Sequence, residues 1–284
     1  MDTRRLVGIV SLGILFVVVL FLISSLVAQR HEDTLTVSFL DVGQGDSIFI
    51  QSPSGKQLLI DGGPNRAVLR ELGRHMSWYD RHIDVVVATH PDADHIGGLI
   101  DVLERYDVDY VYRPGVVHDT PEAQSFLRAI DEERATDILA RREDVIDLGS
   151  GVYVEILFPD RDVFEIETNT GSVIVRVVYG DISFFLSGDS PQSIEEYVVS
   201  LDGTSLKSDV LKVGHHGSRT STSATLLGFV SPKYGVLSRG CDNRYGHPHS
   251  DVLELLNRFE VEILDTCEEG TITFVSDGKT LTVK

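Results

Sequence analysis

The chain has 284 residues, 42% of them hydrophobic and 24% charged, with a formal net charge of −19. This is ordinary globular composition, with enough length for one large domain. The acidity excludes a surface that gathers nucleic acid by general attraction, because phosphate contacts need Lys and Arg.

The 23 residues from Leu6 to Ala28 carry no charge. At about 1.5 Å per residue they reach across a hydrocarbon core of roughly 30 Å. Arg4 and Arg5 precede them, whereas Arg30 is followed by Glu32 and Asp33. That asymmetry favours a cytoplasmic N-terminus. A cleaved signal peptide is the rival reading, but Leu26-Val27-Ala28 is a poor small-x-small site. The expectation is a cytoplasmic tip and transmembrane anchor over residues 1–30, with the membrane crossed by residues 6–28. Residues 31–284 then form one extracytoplasmic domain.

That domain opens with three strands, at Leu35–Leu40, Asp46–Gln51 and Gln57–Asp61, the last two joined by the turn Ser52-Pro53-Ser54-Gly55. Pro64 starts a helix to about Arg74. Ile83–Ala88 reads as a buried strand, followed by a polar loop and a helix from about Gly98 to Tyr106. A short strand at Val108–Tyr112, a helix at Pro121–Glu133 and weak strands near Asp137 and Val145 come next. Val152–Phe158 is a strand, and Ser172–Tyr179 with Ile182–Leu186 forms a hairpin across Gly180-Asp181. A helix at Pro191–Leu201, a strand at Asp209–Val213, a helix at Ser223–Phe229 and a strand at Tyr234–Leu237 follow. Ser250 caps a helix to Phe259. Strands near Val261, Thr271 and Thr280 close the chain. The pattern is α+β: two sheets with helices outside, a four-layer αβ/βα sandwich.

The chemistry concentrates in the loop Thr89-His90-Pro91-Asp92-Ala93-Asp94-His95, directly after a strand, where α/β proteins place their sites. His90, Asp92 and Asp94, spaced by two in an extended loop, would point the same way. His and Asp are ligand types for Zn, Mn or Fe. Four other strand ends also carry such side chains: Asp61, Asp189, the pair His215 and His216, and His247. Cys241 and Cys267 allow either one disulfide or two free thiols.

These residues carry a resemblance. Phe39-Leu-Asp-Val-Gly-Gln-Gly-Asp46, Leu59-Ile-Asp-Gly-Gly63, the Thr89–His95 loop, Leu186-Ser-Gly-Asp189, Leu211-Lys-Val-Gly-His-His-Gly-Ser218 and Gly246-His-Pro-His249 resemble the metallo-β-lactamase-fold hydrolases. Within that superfamily they are similar to the C-terminal hydrolase domain of the ComEC/Rec2 DNA-uptake proteins. The segments cover almost all of residues 35–250. The superfamily's usual loop is His-x-His-x-Asp-His; here Asp92 stands at the second His. The His expected between that loop and Asp189 is also replaced, by Thr168-Asn-Thr-Gly-Ser172; His118 comes too early in the order.

The resemblance implies two divalent ions, Zn or Mn. Asp94, His95 and His247 would hold one, His90 and Asp92 the other, with Asp189 between them. His215 and His216 would complete the site or contact substrate. It assigns the catalytic roles to Asp94, Asp189 and His216, with a metal-activated water as nucleophile. Asp92 makes the site harder, so Mn rivals Zn. Asp61 would orient the metal loop from behind, and Asn169 and Ser172 would support the site or touch substrate. Arg219, Ser221 and Thr222 either touch a phosphate or form a solvated loop. His249 is read as a helix-start residue, and His31, His75, His82 and His118 as ordinary.

The functional expectation is a membrane-anchored hydrolase of phosphodiesters, with single-stranded DNA as one substrate. One alternative keeps the fold but hydrolyses a lactam, lactone, thioester or phosphocholine ester. Another is a non-catalytic, metal-stabilised binding module. No protein partner follows from the sequence.

Overall fold

The computed structural model describes residues 12–22 and 34–284. Strands β1 (Leu35–Phe39), β2 (Ile48–Gln51) and β3 (Gln57–Ile60) form an antiparallel meander. Strands β4 (His82–Val87), β5 (Asp107–Arg113) and β6 (Thr136–Leu139) continue it in parallel. With β14 (Ile272–Ser276) and β15 (Leu281–Val283) the order is β15-β14-β1-β2-β3-β4-β5-β6. The second sheet begins with antiparallel β7 (Val145–Asp147), β8 (Val152–Phe158), β9 (Ile174–Tyr179) and β10 (Ile182–Leu186). Parallel β11 (Val210–Lys212), β12 (Tyr234–Leu237) and β13 (Glu262–Asp265) extend it.

The sheets pack face to face because their strands alternate. Leu35, Val37, Phe39, Ile48 and Ile50 point inward and meet Val152, Val154, Val175, Val177 and Phe184 in one buried cluster. Phe274 ties it together, edge-on to Phe39 at 5.9 Å, Phe184 at 5.7 Å and Tyr234 at 5.5 Å. Each such pair adds about 0.5–1.5 kcal/mol beyond its buried area. The outer face of the first sheet packs on α1 (Ala67–His75), α2 (Ala93–Leu103) and α3 (Pro121–Glu133) through Leu59, Val86 and Val111 against Leu72, Leu99 and Phe126. The outer face of the second packs on α4 (Gln192–Asp202), α5 (Ala224–Val230) and α6 (Ser250–Arg258), with Phe185 and Leu211 against Val198, Leu226 and Leu256. The expected four-layer sandwich is therefore the observed one. The parallel strands β3, β4, β10, β11 and β12 all deliver their following loops to one edge.

Several expectations need correction. Helix α2 starts at Ala93, so it absorbs Asp94 and His95 into its first turn, and Asp92 occupies the N-cap with extended backbone (φ −76°, ψ 146°). Gly97 and Gly98 had suggested a later start. They are helical, and a Cβ on Gly98 would lie 2.0 Å from Gly62 O: the helix needs glycine to pack this closely on the end of β3. Ser172 lies before β9, after a 3-10 turn at Asn169–Gly171. Ser250 is the first residue of α6 and does not cap it; His249 is the N-cap residue, without a side-chain cap bond. A short α7 (Thr266–Glu269), capped by Asp265, was not anticipated.

Cys241 and Cys267 form a disulfide. It ties the loop after β12 to α7. Of the expected membrane span, residues 12–22 are helical and exposed, and the remainder lies outside the described residues. No described helix is long and apolar enough to cross a membrane.

Candidate metal centre

The centre assembles around Asp189, which follows β10 and is 3% exposed. Four imidazole Nε2 atoms surround its Oδ2: His95 at 3.3 Å, His216 at 3.4 Å, His215 at 3.5 Å and His90 at 4.0 Å. Asp94 Oδ2 lies 3.5 Å from His216 Nε2, and Asp92 Oδ2 lies 3.7 Å from His90 Nε2. Both histidines of the Gly214–Gly217 turn thus face the site. They do so by adopting left-handed backbone in succession (φ 48° and 55°). Such residues cost about 1–3 kcal/mol each and persist only where their surroundings fix them. Here Thr222 Oγ1 accepts from Gly214 N–H at 2.8 Å, and Gly188 O accepts from His215 N–H at 3.2 Å.

Hydrogen bonding from behind fixes which nitrogen each ring presents. Asp61, itself left-handed (φ 57°), accepts from Thr89 N–H at Oδ1 (2.8 Å) and from the Thr89 hydroxyl at Oδ2 (2.7 Å). With its proton committed there, Thr89 Oγ1 accepts from His90 Nδ1–H at 3.0 Å. His95 Nδ1–H donates to Asp61 Oδ2 at 2.8 Å. His216 Nδ1–H donates to the Ser238 carbonyl at 2.8 Å. A carbonyl only accepts, so the His216 proton must sit on Nδ1. In its neutral form each of the three rings therefore turns an Nε2 lone pair inward. None of these three buried Nε2 atoms has a hydrogen-bond partner among the described residues. Unpartnered, inward-facing imidazole nitrogens beside carboxylates are the donor set of a divalent cation. The residues present fit the implied metals.

Electrostatics agree. Asp46, Asp61, Asp92, Asp94 and Asp189 crowd the site, and among the described residues Lys212 is the one ammonium beside them. Lys212 Nζ contacts Asp46 Oδ2, donates to Gly188 O at 2.9 Å and lies 3.4 Å from Asp189 Oδ1. Burial opposes ionisation of Asp46, but Lys212 and His216 hold its carboxyl well below the usual range. Burial opposes a charge on His95, yet Asp189 and Asp61 raise it well above the ordinary imidazole value; Asp189 and Asp46 do the same to His216. His90 is held low by burial and by His95. The carboxylates thus draw protons onto imidazoles that a cation would otherwise claim, so metal uptake releases protons.

His247 stands one ring further out. Its centroid is 5.6 Å from that of His215 and 5.0 Å from that of His249, and Tyr245 stacks on it. Burial, His215 and His216 depress it to about 4, so it is neutral and its buried Nδ1 is unpartnered. The expected grouping of His247 with Asp94 and His95 is not observed; its donors join none of the close metal-type groups among the described residues. Asp92, expected beside His90, likewise joins none of those groups, although its Oδ2 lies 3.7 Å from His90 Nε2. Asn169 Oδ1 and Ser172 Oγ are buried and unpartnered. His249 Nδ1 accepts from Arg219 N–H at 3.2 Å, which ties down the loop after His216. Ser221 and Thr222 are fully buried and support the turn, which leaves them no access to a phosphate.

Three site residues had not been anticipated. His118, read as ordinary, places Nδ1 3.3 Å from Asp92 Oδ1. Asp46 and Lys212, from the Phe39–Asp46 and Leu211–Ser218 segments, meet each other at the site, and Asp46 Oδ1 lies 3.4 Å from His216 Nδ1. Lysine following Leu211 in an otherwise apolar strand was the available signal, since a buried Lys needs a carboxylate partner.

Two consequences are testable here. In Asp61→Asn, Thr89 N–H keeps the amide oxygen, so the amide NH₂ faces His95 Nδ1–H and the Thr89 hydroxyl. The ring tautomers lose their acceptor, and metal affinity should fall about 10–100-fold in a chelator-competition titration. The second concerns Glu195 of α4, which accepts from Thr222 N–H and Ser223 N–H at 2.8 Å each and shapes the loop beyond the His215–His216 turn. Burial pushes its carboxyl up from 4.5 to about 7. A raised folded-state value means that the native state binds more protons between those limits. Its contribution to stability is therefore complete below pH 4.5 and is lost as pH rises to about 7. The size is at most about 3 kcal/mol. Urea unfolding across that window should show this decline in the wild-type chain and its absence in Glu195→Gln.

Residues 40–240 match the family model described as the metallo-beta-lactamase superfamily. ComE operon protein 3 of Bacillus subtilis is 31% identical over 255 residues, covering 84% of this chain and 32% of that protein. Competence protein ComA of Neisseria gonorrhoeae is 31% identical over 244 residues, covering 86% of this chain and 32% of that protein. The chain thus spans about a third of the length of these relatives. Among solved structures, CmlA, a diiron beta-hydroxylase from Streptomyces venezuelae, superposes with a TM-score of 0.53 at 15% identity, over 84% of this chain and 53% of that one. That likeness establishes the fold alone.

Proposed function

This chain belongs to the metallo-beta-lactamase superfamily, and on that premise we propose that it is a metal-dependent hydrolase of phosphodiesters, with single-stranded DNA as its substrate. The observation that carries the reading is the set of three buried, unpartnered Nε2 atoms of His90, His95 and His216 around Asp189. His95, His216, Asp94 and Asp189 would hold one divalent ion, and His90, Asp92 and Asp189 a second, with His215 at the rim. Bound Zn or Mn would supply Lewis acidity and a water acidic enough to attack near neutral pH. The chain's own residues do the rest. Asp61 and Thr89 lock two imidazole tautomers, Ser238 locks a third, Lys212 keeps Asp46 ionised, and His216, His95 and Lys212 together keep Asp189 ionised.

Nucleic acid as substrate is supported by the two competence-associated relatives, which share 31% identity with this chain over most of its length. The net charge of −19 means that cations in the site, and not a basic surface, must meet the phosphate. An extracytoplasmic position is part of the proposal, supported by the Cys241–Cys267 disulfide, which persists in oxidising compartments. Anchoring by residues 6–28 belongs to it too. The test is cleavage of a single-stranded oligonucleotide by the purified chain loaded with Mn or Zn. Strand scission that chelator abolishes is expected. Metal-loaded, folded protein that leaves the strand intact but opens a lactone or thioester contradicts the phosphodiester reading.

A further inference from the structure

A cavity of about 440 Å³ adjoins the centre, and the proposed reaction does not use it. It shares His90 and Pro91 with the metal loop, takes in His118, and runs outward between α3 and the segments around Val116 and Phe164. Its volume lies within the range of small-molecule pockets. Four apolar side chains at its rim are strongly exposed: Val117 at 55%, Phe164 at 55%, Leu127 at 47% and Leu139 at 46%. Each alone would be unremarkable, but gathered on one cavity that ends at His90 they form a binding surface. Two arginines border it. Arg113 is paired with Asp137 at 2.7 Å. The Arg141 guanidinium donates to the carbonyls of Pro114 (2.9 Å) and Ala140 (2.8 Å) and pairs with no carboxylate among the described residues; the Arg141 backbone N–H donates to Asp144 Oδ2 at 2.9 Å. Asp162, also on the lining, accepts from Phe164 N–H at 3.0 Å and so fixes the loop that presents the ring.

We propose that this cavity is a subsite for one unpaired nucleobase of the strand being cut, next to the scissile phosphodiester; it rests on the phosphodiesterase reading above. The occupant must be planar and apolar on its faces to fill space between Phe164, Val117 and Leu127. It must also be attached to an anion for Arg141 to be useful. A base unstacked from a single strand meets both conditions, and a base in a duplex cannot enter. The arrangement also answers the charge problem: a chain of net charge −19 gains nothing from general attraction to phosphates, whereas stacking on an aromatic ring is indifferent to charge.

The experiment is a fluorescence-anisotropy titration of the full chain, with Mn²⁺ present. The probes are a short single strand with non-cleavable phosphorothioate linkages and the same strand with abasic sites. Stacking of one base is worth about 1–3 kcal/mol, so the abasic strand should bind about tenfold more weakly. Phe164→Ala, which removes the ring, and Val117→Trp, which fills the cavity, should each bring the two strands within about twofold of each other. Both positions are more than half exposed, so unfolding midpoints should match wild type. Equal binding of the two strands by the wild-type chain overturns the subsite, as does a base preference that survives in both variants. Binding of a fatty-acyl probe in place of the base also overturns it. If the base preference is present but the unmodified strand is never cut, the phosphodiesterase reading fails while the subsite stands.

Discussion

Replacing Asp189 with alanine is expected to remove metal from the centre and to lower kcat/KM for a phosphodiester by on the order of 10³-fold, the scale on which a single charge-stabilising group acts. The reason is its position: Oδ2 is the atom that the Nε2 atoms of His90, His95, His215 and His216 share, all within 4.0 Å. Without it the imidazoles still face inward, because Asp61, Thr89 and Ser238 hold them from behind. What they face no longer carries a bridging charge. Lys212 keeps Asp46 and the Gly188 carbonyl, so the fold should survive. Elemental analysis together with steady-state kinetics checks this. Wild-type turnover in the variant would show that Asp189 is a structural counter-ion only.

The largest effect on stability should come from Lys212→Met. The ammonium is fully buried between Asp46 and Asp189. Methionine fills similar space but leaves two carboxylates without their cation. Removing one partner of a buried pair typically costs about 3–5 kcal/mol. In metal-free protein the urea midpoint should fall accordingly with an unchanged m-value. Added Mn²⁺ or Zn²⁺ should restore part of the loss, because a cation bound to the native state compensates the same carboxylates. A change below about 1 kcal/mol would place Lys212 among exposed pairs in energetic terms.

The order of strands and helices was legible because burial writes itself into the chain twice, as alternation in the outer strands and as apolar runs in β4, β10 and β11. Asp61, the Thr89–His95 loop, Asp189 and the His215–His216 pair were legible for the same reason, since each follows an apolar run, whereas His247 stands in a polar loop well beyond β12. What the sequence concealed were interactions between distant segments. Asp46 and Lys212 are 166 positions apart (212 − 46), and only the packing of one sheet on the other brings them together. His118 looked too early in the order to serve the site, yet the loop after β5 returns it to Asp92. The start of α2 was misplaced because Gly97 and Gly98 read as a boundary, whereas they are helical residues chosen for close approach to Pro64 and Gly62. His247 was assigned by its place in the motif; its ring lies against those of His215 and His249.

Everything proposed about chemistry depends on cations at the junction of Asp189 with His90, His95 and His216. The most direct measurement is the metal content of the purified chain by elemental analysis, before and after Asp61→Asn and Asp189→Ala. Two divalent ions per wild-type chain, reduced in both variants, are the expected result. A folded chain that takes up no divalent ion from excess Mn or Zn would contradict the assignment of this centre.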